Sequence, residues 1–463
     1  MSREAFRRTG YSWRVNERSQ VADPDEKPSN SSNEPAAGSD PEAGRRRVVA
    51  IAIALFVVSA IISMAAGLWR GYIDLQVYRD GARVWLDGGD LYGPLPKVGG
   101  LELPFTYPPL AALVFTPLAL LPLLPAEWLV LALAIGSLAL TVWLVLRRLR
   151  PRLDRRTGLA LVIGAVALLG LSEPIRQTYN FGQINLFLMT AIALDTLVRK
   201  PFWPRGMLIG IAVAIKLTPG GFLLYFLIRR DWRAARNVAL SALGAIAAGF
   251  ALFPRESTRY WFHILPDTGR IGPPYYAGNQ SLKGFAFRLG LDTSNATILW
   301  LVTSLIAVAL AAILMKRLFD DAAFARRHES PDTPAPASNA ATIAALTVNA
   351  AAVLLISPVS WSHHWVWVAP AALVAADAVE RGGRSRRYLL ATAAIVVMFM
   401  VGPQWLLPHG GDRERGWAVW EELVGSSYVL VTFAVLVIAV VAYRPIYRAV
   451  GSAGARKAAN AAE

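Results

Sequence analysis

The chain contains no cysteine, which excludes disulfides, thiolate metal sites and cysteine nucleophiles together. Charge is also sparse: Asp, Glu, Lys and Arg make up 17% of the 463 residues, against 55% hydrophobic, and the mean hydropathy is +0.40. So little polar surface cannot cover a soluble globule of this length, and the chain belongs in lipid. Acidic residues are scarcer than basic ones, 32 against 47, which leaves a net charge of +15 and a pI near 10.2. No nucleic-acid partner follows from that, because the basic residues fall in short clusters between apolar runs, as in loops facing an anionic leaflet. From Gln20 to Gly44 large apolar residues are nearly missing and Pro, Ser, Asn, Asp, Glu and Ala dominate. Residues 1–47 are therefore expected to form a disordered cytoplasmic tail. A cleaved signal peptide is not expected, since the first long apolar run begins at Val48 and is long enough to act as an anchor.

What is present is a series of apolar runs near the roughly 20 residues that an α-helix needs to cross a bilayer. Full spans are expected near 48–69, 126–146, 157–172, 184–198, 235–253, 296–315, 340–357, 362–379, 388–407 and 425–443. Residues 107–124 are apolar but broken by Pro108, Pro109, Pro117 and Pro122, the pattern of a re-entrant or interfacial segment. Residues 205–228 carry Lys216, Pro219, Gly220 and Gly221 at their middle and read as two short half-helices meeting at a polar break. One kinked span is the other reading.

The lysine and arginine bias of the loops gives the orientation. With 205–228 as a hairpin, the clusters RRLRPRLDRR, VRKPFWPR, RRDWRAAR, KRLFDDAAFARR, VERGGRSRR and YRPIYR all fall on the cytoplasmic side with Arg45, Arg46 and Arg47. The fold class expected is thus an all-α polytopic membrane protein of about twelve transmembrane helices with re-entrant segments and both termini inside. Its domains would be the tail 1–47, a transmembrane unit 48–447 and a cytoplasmic tail 448–463. The outer face then receives loop 70–106, SEPIRQTYNFGQIN, loop 254–294, SPVSWSHHW and loop 408–424.

Each outer segment carries polar residues that need a reason. Asp74 follows the first span closely, and DLQVYRDGARVWLDG after it sets Leu75, Tyr78, Ala82 and Trp85 on one helical face, as in an interfacial helix. An N-cap role would account for Asp74; a carboxylate at the membrane surface could equally serve as a general base. Arg176, Gln177, Asn180, Gln183 and Asn185 lead directly into the apolar FLMTAIAL. Polar groups there either bind one another across helices or recognise a sugar or phosphate, with Arg176 as the anion partner. Lys216 inside an apolar run either snorkels to the interface or meets an anion, and the Pro-Gly-Gly break beside it favours the anion. In loop 254–294, Trp261, Tyr275 and Tyr276 suit an aromatic belt, but Asn279, Gln280 and Lys283 add the amide and cationic groups of a sugar site. Asn279-Gln280-Ser281 fits the N-glycosylation pattern, which is frequent by chance. His363 and His364, adjacent between tryptophans, are poor joint ligands and lack an HExxH partner, so proton transfer or a substrate hydrogen bond is favoured over zinc. A polar interface role would also explain them.

Taken in order, DLQVYRDG with Asp74, FTYPPL, NFGQINL, KLTPGGFLLYFL, GNQSLKG and SPVSWSHHW resemble glycosyltransferase family 87 of the GT-C superfamily. The likeness runs from about Val48 to Tyr447, and the chain looks in particular like the actinobacterial polyprenyl-phosphate-mannose-dependent α-1,2-mannosyltransferases of phosphatidylinositol mannosides, lipomannan or lipoarabinomannan. It implies that Asp74 corresponds to the catalytic aspartate after the first helix, and that His364 or His363 lies at the reaction centre. The donor would be a β-linked mannosyl phosphate lipid, the acceptor a glycolipid, and an α product would mean inversion. Many GT-C enzymes pair two acids in the first loop; here Asp74 stands without an adjacent acid, so no catalytic metal and no cofactor are expected.

The chemistry asks for a base toward the acceptor hydroxyl and a stabiliser of the departing phosphate. Asp74, His364 and His363 are the candidates for the first, and Lys216 with Arg176 for the second. Tyr78, Tyr107, Gln183, Asn185, Asn279, Gln280 and Trp361 are the candidates for sugar or acceptor contacts. A lipid phosphate already leaves well, so no general acid is required, and no large soluble loop is available to bind a nucleotide sugar. An arabinosyltransferase using decaprenyl-phosphate arabinose would show much the same features. A lipid or sugar transporter would instead show internal repeats and midplane polar residues, and neither is evident.

Overall fold

The computed structural model describes residues 41–69, 71–327, 336–381 and 385–443. The expected tail 1–47 lies outside them up to residue 40, and the tail 448–463 lies outside them entirely. Among the described residues the chain is helical, with isolated bridges at Val98–Leu101 and Asn279–Trp361 and no strand.

The order begins with α1 (Pro41–Ala65), α2 (Ile73–Leu86), α3 (Pro109–Leu120), α4 (Leu123–Leu149), α5 (Arg155–Gly170), α6 (Glu173–Phe181) and α7 (Asn185–Leu197). It continues with α8 (Met207–Val213), α9 (Leu223–Arg229), α10 (Trp232–Leu252), α11 (Pro254–Arg259), α12 (Leu282–Arg288), α13 (Thr293–Arg327) and α14 (Pro336–Ile356). It closes with α15 (Val368–Arg381), α16 (Arg386–Val401), α17 (Val419–Gly425) and α18 (Ser427–Val441). All ten runs expected to span are helical. The helix of the first run starts at Pro41, upstream of Val48, with the proline at its first position, where no backbone N–H is needed.

Among the described residues five helices, α1, α4, α10, α13 and α14, are long and apolar enough to cross a membrane alone. The count rises to seven if the bent pairs α5 with α6, at 82°, and α17 with α18, at 75°, each make one span. Four of them, α1, α4, α10 and α13, carry exposed large apolar side chains such as Ile51, Ile61, Leu133, Leu243 and Leu305, the surface that lipid would cover.

Local chemistry sets the breaks. Asp154 accepts from Thr157 N and Asp231 from Ala234 N, so each caps the start of a helix. Pro122 separates α3 from α4, and α3, at 12 residues, reaches only about 18 Å, too short to cross. Between α8 and α9, seven residues each, a 3-10 turn at Thr218–Phe222 carries the Pro-Gly-Gly sequence, which gives the two half-helices expected there. A Cβ at Gly221 would come 2.4 Å from Val353, so only glycine lets this turn lie against α14.

The main core gathers α4, α7, α9, α13, α14 and α18 around Leu138, Leu186, Tyr225, Phe226, Leu355 and Tyr428. A second cluster, built on Tyr78, Tyr92, Phe105, Tyr107 and Phe115, fastens α2 to α3 beside it. The face expected of α2 is the one observed: Leu75, Tyr78 and Ala82 are buried, and Trp85 packs on Phe253 at 4.6 Å. Arg79 and Arg83 on the same helix donate to the last carbonyls of α3 and the turn after it, at Leu118, Ala119 and Leu121. They satisfy groups a helix end otherwise leaves orphaned.

Candidate active site

The site is organised by the short turn between α6 and α7, the NFGQIN sequence. Gly182 closes α6 with φ 68°, and a Cβ there would fall 2.7 Å from that of Leu75, so only glycine lets this turn lie against the start of α2. Close approach places Gln183 against Asp74. Its side-chain oxygen accepts from Tyr78 at 2.8 Å and Tyr107 at 3.4 Å, which leaves its NH₂ to donate to the Asp74 carboxylate.

Two residues further, Asn185 does the same for a second set. It donates to the His363 carbonyl at 2.9 Å and accepts from Lys216 Nζ at 2.9 Å. Lys216, at the break between the half-helices, also lies 3.3 Å from His364 Nε2 and 5.5 Å from the centre of the Tyr107 ring. Asp74, Gln183, Tyr107, Lys216, Asn185 and His364 thus form one connected group drawn from five segments that are distant in sequence.

Asp74 is not the N-cap of α2. That position is held by Tyr72, which makes no side-chain capping bond, and Asp74 lies two residues inside the first turn. Burial pushes its carboxyl up to about 6, against the opposing pull of the Gln183 hydrogen bond and the Lys216 charge. The group therefore changes charge near neutrality, the range suited to a base.

His363 and His364 fall in a short 3-10 helix, Ser362–Trp367, with their rings 4.9 Å apart at 83°. His363 turns inward against Phe181, is buried, and leaves Nε2 without a partner. His364 is half-buried and faces Lys216. It also borders a cavity of about 40 Å³ lined by Asn185, Met189, Phe222, Val353 and Trp367.

Other candidates lie elsewhere or are already engaged. Tyr78 is buried and its hydroxyl is taken up by Gln183 and Tyr107, so it braces Gln183 from behind. Asn279 is fully buried, donates to Pro274 O and accepts from Ser360 N, and Gln280 donates to Ala277 O and Gly425 O. The Asn279 amide thus fastens loop 254–294 to the SPVSWSHHW segment and the Gln280 amide ties it to the end of α17; Trp361 takes part through its bridge to Asn279 and its ring contact with Tyr276 at 5.8 Å. Arg176 sits on α6 within electrostatic reach of Glu173, and the charge that acts on Lys216 is that of Asp74. Among the described residues no three of His, Asp and Glu lie close enough to hold a metal ion.

Sequence reasoning passed over Glu173. It is fully buried and accepts from Ser362 at 2.6 Å, Trp405 at 2.6 Å and Tyr428 at 2.9 Å, which ties the histidine segment to three other parts of the chain. A carboxylate followed by proline at the start of an apolar-flanked helix was the available signal. Its partners, 189 to 255 positions away in the chain, were not readable from the sequence.

The model of glycosyltransferase family 87 matches residues 105–358. A Mycolicibacterium smegmatis protein named polyprenol-phosphate-mannose-dependent alpha-(1-2)-phosphatidylinositol mannoside mannosyltransferase is 40% identical over 82% of this chain and 88% of its own length. A Mycobacterium tuberculosis protein of the same name is 38% identical over 86% of this chain and 93% of its own. A third, from the same species and named for phosphatidylinositol pentamannoside, is 31% identical over 86% and 90%. No solved structure gives a significant match.

Proposed function

Because the chain belongs to glycosyltransferase family 87, we propose that it transfers mannose, with inversion, from a polyprenyl-phosphate-mannose donor to a phosphatidylinositol mannoside, forming an α-1,2 linkage. The names of its 40% and 38% identical relatives support that donor and acceptor. The observation that carries the chemistry is the single group of Asp74, Lys216 and His364 around the Gln183–Asn185 turn.

In the reaction as proposed, the Asp74 carboxylate takes the proton from the acceptor hydroxyl. The freed oxygen attacks the anomeric carbon from the face opposite the phosphate, and the bond from that carbon to the phosphate oxygen breaks. The electron pair leaves with the lipid phosphate, whose added charge Lys216 balances. His364 serves as a hydrogen-bonding partner of the reacting groups. A β-linked mannosyl phosphate would give an α-mannoside.

The reading extends to topology: about twelve membrane passes, both termini cytoplasmic and the reaction on the outer face of the cell membrane. The loop charges support it, since the basic clusters alternate with the segments that carry Asp74 and His364. Membranes with and without the protein, given radiolabelled polyprenyl-phosphate mannose, test the activity. Labelled glycolipid one mannose longer and sensitive to α-1,2-mannosidase is expected. Transfer from an arabinosyl phosphate lipid in its place would overturn the reading.

A further inference from the structure

The start of α2 is held from outside. Tyr72, the residue before the helix, has φ 42° and ψ 31°, a left-handed conformation that a side chain disfavours. It makes no capping bond of its own. What keeps it there comes from α6: the carbonyl of Asn180 accepts from Tyr72 N at 2.5 Å, and its side-chain Oδ1 accepts from Gly71 N at 3.1 Å. Two successive amides are thus gripped by one residue. Asp74 follows two positions later and meets Gln183, which lies three positions after Asn180.

The turn that orients the Asp74 carboxylate from the front therefore also fixes its backbone from behind. We propose that Asn180 is a positioning residue for Asp74: its side-chain oxygen locks the left-handed entry to α2 and so aims the carboxylate at Gln183 and Lys216. Asn180 itself need touch no substrate. Strained backbone persists where surrounding structure over-determines it, and here the over-determining group belongs to the same turn as the rest of the site. The inference rests on the reading of Asp74 as the base.

The test is a mutant cycle in protein reconstituted in lipid, with turnover, donor KM and thermal stability measured for Asn180→Ala, Asp74→Asn and the double variant. Asn180→Ala is expected to lower turnover about 10- to 100-fold with donor KM within about twofold, and to move the acidic limb of the pH profile. In the Asp74→Asn background the same change is expected to have almost no further effect, since its target is gone. An equal loss in both backgrounds would mean a merely structural role and would overturn the proposal, as would wild-type turnover by Asn180→Ala. Gly71→Ala provides a second route should Asn180→Ala fold poorly. Its Cβ would press on Asn180 O and Oδ1 from 3.2 Å, and a smaller loss of the same kind is expected. Near-wild-type turnover by Asp74→Asn alone would remove the base reading and this proposal with it, an outcome distinct from an inactive Asp74→Asn beside an active Asn180→Ala.

Discussion

Lys216 Nζ stands 3.3 Å from His364 Nε2, although 148 positions separate them in the chain. The lysine's direct hydrogen-bond partners there are an imidazole nitrogen and an amide oxygen, and the Asp74 carboxylate acts on it through charge alone. A cation with no carboxylate bonded to it keeps its donors available to an incoming anion. Lys216→Ala is expected to raise the donor KM roughly 10-fold or more, the loss of one charge-assisted hydrogen bond, and to leave acceptor KM nearly unchanged. Wild-type values of donor KM and turnover would remove Lys216 from phosphate recognition.

The same contact separates the two histidines. His364 faces Lys216, while His363 lies inward against Phe181 and supplies its carbonyl to Thr178 and Asn185. His364→Gln should lower turnover about 10²-fold, the scale of a group acting in the transition state. His363→Gln keeps the backbone carbonyl and should cost less than tenfold. The reverse order in a transfer assay would move the role to His363.

Topology can be tested without background labelling because the chain has no cysteine. Asn279, an obvious outer-face marker in the sequence, is fully buried and would label poorly. Leu101 and Phe202 are better, at 56% and 98% exposed. A membrane-impermeant maleimide applied to intact cells should label Leu101→Cys and spare Phe202→Cys until the membrane is opened. Labelling of position 202 alone from outside would invert the proposed orientation.

The helices were readable because their signals are local. Runs of apolar residues, Asp at helix starts and proline at breaks act within one turn, and all ten expected runs are helical. The polar break at Lys216 was readable for the same reason. What the sequence could not supply was the direction of each side chain. Asn279 and Gln280 looked like sugar ligands because amides in an aromatic loop serve that purpose, yet each is enclosed by backbone partners from distant segments. Asn180 and Glu173 look like ordinary polar residues until the amides and hydroxyls they hold, from Gly71 to Tyr428, are seen beside them.

Asp74 offers the sharpest test, since activity and stability should respond in opposite directions. Burial pushes its carboxyl up to about 6, so kcat/KM should fall below that pH as the base becomes protonated. Asp74→Asn keeps the shape but cannot take a proton, and turnover should fall roughly 10² to 10⁴-fold at every pH, with the acidic limb abolished. For stability, the folded-state value lies above the ordinary one of 3.8, so the folded protein binds this proton more tightly than the unfolded chain. The stabilising contribution is complete below pH 3.8 and is lost as pH rises through about 6. Above that, the ionised carboxylate costs up to about 3 kcal/mol of folding free energy relative to a neutral side chain. Asparagine is never ionised. The Asp74→Asn protein should therefore melt at a higher temperature than wild type at pH 8 and at nearly the same temperature at pH 4, as read by thermal unfolding in detergent. A lower melting temperature for Asp74→Asn at pH 8 would mean that the carboxylate charge stabilises the fold, as a structural ion does, and would count against a base kept at an energetic cost beside the membrane.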